Sequence, residues 1–167
     1  MQIRRLGPDD ATDYRALRIR ALWEFPEAFT SSYDEDEKQP IEVWELRLAG
    51  EHTLFWGAFD GGALCGMVGL ERERRAKNRH KATVIGMYVS QEYFGTGMGR
   101  ALIDALIAHA REIGLELLVL TVTEGNAVAT NFYEAAGFRS FGIEPRAIKV
   151  DGQAFGKNHM YLDLTAS

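Results

Sequence analysis

The sequence predicts an α/β fold: one mixed β-sheet of about seven strands with helices on both of its faces. Short runs rich in β-branched and aromatic residues recur along the whole chain, and Asp-Gly pairs at 60–61 and 151–152 join two pairs of them as hairpins. An amphipathic helical pattern over residues 98–113 connects two further runs, which should therefore be parallel neighbours. Because the 167 residues contain no linker or repeat, we expect one domain over residues 1–167.

The N-terminal third predicts one strand and two helices. Residues 2–6 are a short strand candidate, and a helix over about 8–23 begins with the Pro-Asp-Asp chemistry that favours helix starts. A second helix is predicted over 40–48, with Pro40 at its first position. The acidic run 34–37 between the two helices is expected to be a solvated loop.

The next segment predicts a series of antiparallel strands. Residues 53–59 and 63–72 form the first hairpin. The basic segment 74–80 lacks apolar periodicity and is expected to be a solvated loop. It leads into a strand over 82–90, so that three antiparallel strands in a row precede the most informative part of the chain.

That part is a glycine-rich segment at the start of a helix. Gly95, Gly97 and Gly99 occupy alternate positions, and the helix that follows ends at Gly114. Glycines let the backbone bring bare N–H groups close to a ligand, where the helix presents its unpaired donors and its positive dipole end. The segment therefore predicts an anion cradle, with a phosphate or pyrophosphate as the expected guest.

The rest of the chain predicts one strand, one helix and a terminal hairpin. Residues 115–122 are typical of a buried strand, and Asn126 is a good N-cap for a helix that runs through residue 136. The final hairpin is expected to bend or bulge near Pro145. Its two strands are predicted at residues 138–150 and 153–164.

The composition argues against several classes of protein. Nineteen basic and 24 acidic residues give a net charge of −5, which is unfavourable for a general nucleic-acid binder. The single cysteine, Cys65, lies in an apolar run, so we expect a buried strand residue, no disulfide framework and no metal site. The N-terminus lacks the apolar region of a signal peptide and no segment approaches the length of a membrane span, which predicts a cytoplasmic protein without membrane contact.

Two well-known phosphate-binding motifs do not match the glycine-rich segment. The dinucleotide fingerprint requires G-x-G-x-x-G, and a Walker A loop requires a Gly-Lys-Ser/Thr triplet. The alternating glycines of Phe94-Gly-Thr-Gly-Met-Gly99 fit neither pattern. The segment instead resembles motif A of the GNAT N-acetyltransferase superfamily, whose R/Q-x-x-G-x-G/A loop and helix start bind the pyrophosphate of acetyl-CoA.

A second block strengthens the resemblance. Residues 126–138 are similar to the N-x-x-A-x-x-x-Y-E-x-x-G-F block of the same superfamily, and the detailed similarity covers about residues 82–138. The matching positions are Asn126, Ala129, Tyr133, Glu134, Gly137 and Phe138. The resemblance implies a GNAT-like sheet in which the central parallel pair of strands splays apart to admit the pantetheine arm.

The resemblance also implies the residues that bind acetyl-CoA. The pyrophosphate would lie on the glycine-rich segment, the pantetheine arm would bond to the backbone of residues 87–89, and Asn126 would contact the cofactor from the second strand. Phe94 stands where the superfamily usually has Arg or Gln, which removes one side-chain contact but no backbone donor. The implied set is Met87, Tyr88, Val89, Phe94, Gly95, Thr96, Gly97, Met98, Gly99, Arg100, Asn126 and Tyr133.

The implied chemistry is direct acyl transfer from the thioester to a primary amine. The resemblance assigns Tyr133 as the general acid for the departing thiolate, since a phenol with a pKa of about 10 is protonated at neutral pH. The acceptor amine needs a base, and the histone-modifying relatives carry a strand glutamate that is absent here. Glu71 and His80 are the base candidates, although each is more often a solvated hairpin residue.

The function therefore stays open between two classes. The first is an acetyl-CoA-dependent N-acetyltransferase, and the alternative is a non-catalytic acyl-CoA-binding or sensor module that keeps the cradle without a productive base. The amine could belong to a small molecule or to a protein. Many members of the superfamily dimerise, so a homodimer is compatible with the resemblance.

Overall fold

The structure, a computed structural model, describes residues 1–166. It contains one mixed sheet of seven strands in the order β1-β2-β3-β4-β5-β7-β6. The strands are β1 (Gln2–Arg5), β2 (Thr53–Asp60), β3 (Ala63–Arg72), β4 (Lys81–Val89), β5 (Leu117–Thr123), β6 (Arg139–Val150) and β7 (Gln153–Asp163). The predicted fold class and the predicted strands are confirmed, with ends that shift by one or two residues.

Five α-helices are described, together with short 3₁₀ turns. They are α1 (Ala11–Glu24), α2 (Tyr33–Glu37), α3 (Ile41–Ala49), α4 (Met98–Glu112) and α5 (Ala127–Ala135). Pro40 is the N-cap of α3 rather than its first residue. No helix within residues 1–166 is both long and apolar enough to cross a membrane.

The acidic run was predicted wrongly as a solvated loop. It forms helix α2, whose N-cap Ser32 accepts a hydrogen bond from the N–H of Glu35. Three acidic residues in the first turn favour the helix because they interact with its positive end. Asp36 faces inward and is only 9 % exposed, close to Arg18 of α1.

The helices cover both faces of the sheet, as predicted. On one face α4 and α5 pack against side chains such as Trp56, Val68 and Leu118. On the other face α1 and α3 pack against Phe55 and Met67. Alternate residues of β2 thus belong to opposite cores, which is the period of two expected of a strand buried on both sides.

The central parallel pair splays apart. β4 and β5 pair only at Lys81–Leu117, Ala82–Leu118 and Thr83–Val119. From Val84 onward β4 still pairs with β3, and β5 still pairs with β7 along its whole length. The edges of β4 and β5 that face each other therefore open into a V whose backbone groups have no ladder partner among residues 1–166.

A bulge in β4 lies just inside this opening. Ile85 is opposite Gly69, but Tyr88 is opposite Met67, so β4 has one extra residue between these two pairs. Gly86 adopts φ +60° there, a left-handed conformation that glycine allows without strain. The extra residue turns Met87 toward the α4 face and Tyr88 toward the α1 face.

Candidate functional site

The glycine-rich segment forms a tight turn between β4 and α4. Gly95 and Gly97 both have positive φ, at +75° and +87°, and Gly97 is the N-cap of α4. A Cβ on Gly99 would lie 3.3 Å from both Met87 Cε and Phe132 Cε1, so the missing side chain allows α4 to approach β4 and α5 closely. Gly95 and Gly97 thus allow the positive φ angles of the turn, and Gly99 allows the close helix packing.

The turn points unpaired donors toward solvent. Within residues 1–166 the N–H groups of Gly95, Gly97, Gly99 and Arg100 have no hydrogen-bond acceptor, whereas the Ala101 N–H already bonds to the carbonyl of Gly97. The space around Gly95 and Gly97 is open, since a Cβ on either would meet no atom within 4 Å. Free N–H groups at a helix start are the donors that an anion needs, and anion binding by these residues stays a prediction.

The side chains beside the cradle contribute less than its backbone. Phe94 is 58 % exposed and offers no polar group to an anion. The Arg100 guanidinium is already bonded outside the cradle, because its Nε donates to Asp104 Oδ1 at 2.9 Å and its Nη1 donates to the carbonyl of Ala135 at 3.1 Å. Arg100 thus ties α4 to α5 and offers the cradle its backbone N–H.

Residues 87–89 lie on the open edge of β4, as a pantetheine-binding backbone requires. Met87 and Val89 face the core beneath α4. The Tyr88 hydroxyl instead donates to Glu24 Oε2 at 2.6 Å on the opposite face, and burial and this bond raise the pKa of Tyr88. The backbone of Tyr88 is available in the opening, but its side chain fixes β4 to α1.

Tyr133 lies on α5, between Phe132 and Phe138. Its ring meets theirs edge to face at centroid distances of 5.1 and 5.6 Å. Tyr133 is 7 % exposed, and burial raises the pKa of its phenol above the usual 10. The hydroxyl has no hydrogen-bond partner within residues 1–166, and it is not among the fully enclosed polar atoms. It is therefore protonated at neutral pH and not engaged by any described residue.

Asn126 is confirmed as a helix cap. Its Oδ1 accepts a hydrogen bond from the Ala129 N–H at 3.1 Å, which satisfies one orphan donor at the start of α5. The amide Nδ2 of Asn126 makes no bond to residues 1–166. A ligand between β4 and β5 could therefore still receive a hydrogen bond from it.

The two base candidates lie in different surroundings. Glu71 lines a cavity of about 410 Å³ between α1, α3 and strands β2 to β4, on the face opposite α4. His80 lies in the exposed turn before β4 and does not line this cavity. The structure therefore places Glu71, and not His80, beside a candidate acceptor cavity.

Sequence reasoning missed other polar residues of this cavity, among them His52 and Arg18. His52 lines it, and the buried Nδ1 of His52 has no hydrogen-bond partner within residues 1–166. Arg18 of α1 also lines it, with a side chain that is 12 % exposed. The sequence did contain a signal for each residue, since His52 directly precedes a strand and Arg18 lies on the apolar face of a helix.

The aromatic residues divide between core and surface. Trp44 and Trp56 are buried, whereas Trp23 is 70 % exposed and lies against Tyr33. Cys65 is buried in β3, as predicted. The described residues contain no group of three or more His, Cys, Asp and Glu side chains that could hold a metal ion.

A family profile and known proteins match this chain. The profile of the Acetyltransferase (GNAT) family matches residues 18–138. The N-alpha-acetyltransferase RimI of Mycobacterium tuberculosis is 31 % identical over 118 residues, which cover 70 % of this chain and 72 % of that protein. The mycothiol acetyltransferase of Thermobispora bispora is 31 % identical over 139 residues, which cover 81 % of this chain but 45 % of that protein.

The fold also matches a solved structure. A putative acetyltransferase from Salmonella typhimurium, solved with its cofactor acetyl-CoA, superposes with a TM-score of 0.81 at 22 % identity. The match covers 100 % of this chain and 95 % of that one. The overall fold is therefore shared with this solved structure.

Proposed function

The chain belongs to the GNAT acetyltransferase family, and on that basis we propose that it is an acetyl-CoA-dependent N-acetyltransferase acting on a primary amine. The observation that carries the proposal is the combination of four unpaired N–H groups at the α4 start with an opening between β4 and β5. The first feature fits a pyrophosphate and the second fits an extended arm with amide groups. No ordinary stabilising role requires both.

In this proposal the cradle binds the donor through its backbone. The N–H groups of Gly95, Gly97, Gly99 and Arg100 would bond to pyrophosphate oxygens, supported by the positive end of α4. The unpaired edge of residues 87–89 would bond to the pantetheine amides as a neighbouring strand would. Phe94 would leave the phosphates without the cationic or amide side chain that is common in the family.

Tyr133 would assist the departure of the thiolate. A new C–N bond forms as the C–S bond breaks, the amine gives up a proton, and the sulfur takes up negative charge. Because its pKa is raised, the Tyr133 phenol is a weaker acid than a thiol, whose reference pKa is about 8.5. Its contribution is therefore a hydrogen bond that strengthens as charge develops on sulfur.

Glu71 is the better-placed candidate for the base. It lines the cavity on the α1 and α3 face, where an acceptor would approach β4 from the side opposite α4. An amine with a pKa of about 10.4 is neutral in roughly one molecule in a thousand or two at pH 7, so a nearby carboxylate that accepts its proton would raise the reactive fraction. With acetyl-CoA as the donor, we expect the enzyme to act in the cytoplasm.

A steady-state assay of thiol release with a panel of primary amines tests the proposal. Turnover that requires both acetyl-CoA and an amine, with a matching N-acetylated product by mass spectrometry, is the expected result. Calorimetric titration with CoA serves as the control for the cradle. Tight CoA binding without turnover of any amine would instead favour the acyl-CoA-binding or sensor module.

A further inference from the structure

The candidate acceptor cavity is strongly basic within an acidic protein. The chain carries a net charge of −5, yet three arginines line the cavity against the single carboxylate of Glu71. These arginines are Arg18 of α1, Arg47 of α3 and Arg74 of the loop after β3. The cavity lining therefore carries an excess of positive charge although the chain as a whole is negative.

Arg18 is the least satisfied of the three. Its side chain is 12 % exposed, and the one hydrogen bond it makes is from Nη2 to Ser31 Oγ at 3.1 Å. The nearest carboxylate is Asp36, whose Oδ2 lies 3.9 Å from Nε, beyond hydrogen-bond distance. Both of these atoms are buried without a hydrogen-bond partner within residues 1–166. A largely buried guanidinium with five donors and one bond is costly unless something else binds it.

Unlike Arg18, which has Asp36 at 3.9 Å, Arg47 and Arg74 have no acidic partner in the described part of the chain. Neither has a carboxylate within 4.0 Å among residues 1–166. Arg47 lies over the Trp44 ring at 4.6 Å, which fixes its position without neutralising its charge. The charges of Arg47 and Arg74 are thus uncompensated among the described residues, and that of Arg18 is balanced only by Asp36 at 3.9 Å.

Arg18 lies next to the opening in the sheet. Its Nη1 is 3.1 Å from the point that a Cβ on Gly86 would occupy. Gly86 is the bulge residue of β4, three residues beyond Thr83, where pairing with β5 ends. The guanidinium therefore lies on the α1 face of β4, beside the part of this strand that no longer pairs with β5.

We propose, building on the proposed acetyltransferase function, that the acceptor is a small amine that carries a carboxylate, and that Arg18 binds this carboxylate. A guanidinium presents two parallel N–H groups that match a carboxylate in bidentate geometry. Arg47 adds charge to the same end of the molecule, and Glu71 faces the amine from β3. A cavity of about 410 Å³ is of the size that holds a molecule like a free amino acid.

Matched acceptors test this proposal. We would compare free α-amino acids with their carboxamides, for example L-phenylalanine with L-phenylalaninamide, by thiol release at saturating acetyl-CoA. The amine of the amide is the less basic of the two, so more of it is neutral at pH 7 and simple reactivity favours the amide. We expect the wild-type kcat/KM to favour the carboxylate instead.

Matched variants identify the residue. Arg18→Gln should lower kcat/KM for the carboxylate acceptor by about 10- to 100-fold, the loss expected for charge-assisted hydrogen bonds, and should leave the carboxamide nearly unaffected. Arg47→Gln should show the same selectivity at smaller size and carries the test if Arg18→Gln does not fold. Arg111→Gln, at an exposed position of α4, is the charge-matched control and should behave as wild type.

A binding measurement separates this proposal from the acetyltransferase function. Calorimetry in the presence of CoA would compare an N-acetyl amino acid with its amide. If no amine turns over but the carboxylate binds and needs Arg18, the cavity assignment holds and the transferase function is wrong. If amides turn over as well as acids, or folded Arg18→Gln keeps the preference for the acid, the transferase function stands and the carboxylate site is wrong. If the protein shows neither turnover nor binding, both are wrong.

Discussion

Replacing Tyr133 with Phe isolates the hydroxyl from the ring. The ring packs edge to face against Phe132 and Phe138, and phenylalanine keeps both contacts. The hydroxyl has no hydrogen-bond partner within residues 1–166, so its removal breaks no bond of the fold. We therefore expect the free energy of unfolding to change by less than about 0.5 kcal/mol. CoA affinity should also be retained.

Turnover should respond very differently. A hydrogen bond to a charged group is typically worth about 1.5 to 3 kcal/mol, so we expect turnover to fall by about 10²-fold, which corresponds to about 2.7 kcal/mol in the activation free energy. The loss should appear mainly in kcat, because the bond to sulfur strengthens only as the C–S bond breaks. Since burial raises the pKa of Tyr133, the phenol stays protonated across an assay range of pH 7 to 9, and the ratio of the two rates should stay constant there.

The assay is pre-steady-state thiol release with an acceptor of known turnover. A single-turnover measurement shows whether chemistry limits the rate, and a urea titration shows that both proteins are folded. Phe132→Leu, on the same helix, is a packing control that alters the contact with Tyr133 without touching the hydroxyl. A Tyr133→Phe rate equal to wild type under chemistry-limited conditions would make Tyr133 a packing residue and assign stabilisation of the thiolate to water or another donor.

Three further predictions concern the cradle and the N-terminal region. Gly97→Val should weaken CoA binding about tenfold or more, because a side chain at φ +87° strains the turn and crowds the unpaired N–H groups. If calorimetry shows undiminished CoA affinity for a folded variant, the phosphates bind elsewhere. Phe94→Arg should keep or modestly raise CoA affinity, and a large loss without unfolding would show that the exposed ring has a packing role. Asp10→Asn should cost up to about 1 kcal/mol in urea unfolding at pH 7, because Arg4 bonds to both Asp10 oxygens at 2.9 Å. That bond lowers the pKa of Asp10 below its unfolded value. The stabilisation by this ion pair is therefore present above about pH 4 and lost as the pH falls through the folded pKa of Asp10. A stability difference between wild type and Asp10→Asn that persists unchanged in acid would contradict this cause.

The sequence was sufficient for the features that local chemistry determines. The two Asp-Gly hairpins form where predicted, because glycine at Gly61 and Gly152 supplies the positive φ that such turns need. Helix α4 begins at Met98 and buries its predicted apolar face, since its period of 3.6 residues is strong. Cap residues such as Asn126 could also be predicted from the sequence, because they bond to groups within four residues of their own position.

Features that depend on distant partners were not predicted. The bulge at Gly86 follows from the register between β3 and β4, which no local pattern specifies. Asp36 lies in an acidic run that favours solvent, yet α2 packs against α1 and buries it near Arg18. The cavity around Arg18 joins residues from two helices and three strands, so the sequence offered Glu71 as a base candidate without the arginines that surround it.

The short pairing between β4 and β5 makes this sheet one that a ligand would complete. Beyond Thr83 and Val119 the two facing edges leave backbone groups that a bound pantetheine arm would satisfy. A ligand that binds only the folded chain adds RT ln(1 + [L]/Kd) to its stability, or about 2.7 kcal/mol at a concentration of 100 Kd. The resistance of the protein to unfolding, and to the proteases that act on unfolded chains, should therefore rise and fall with the cellular supply of its donor.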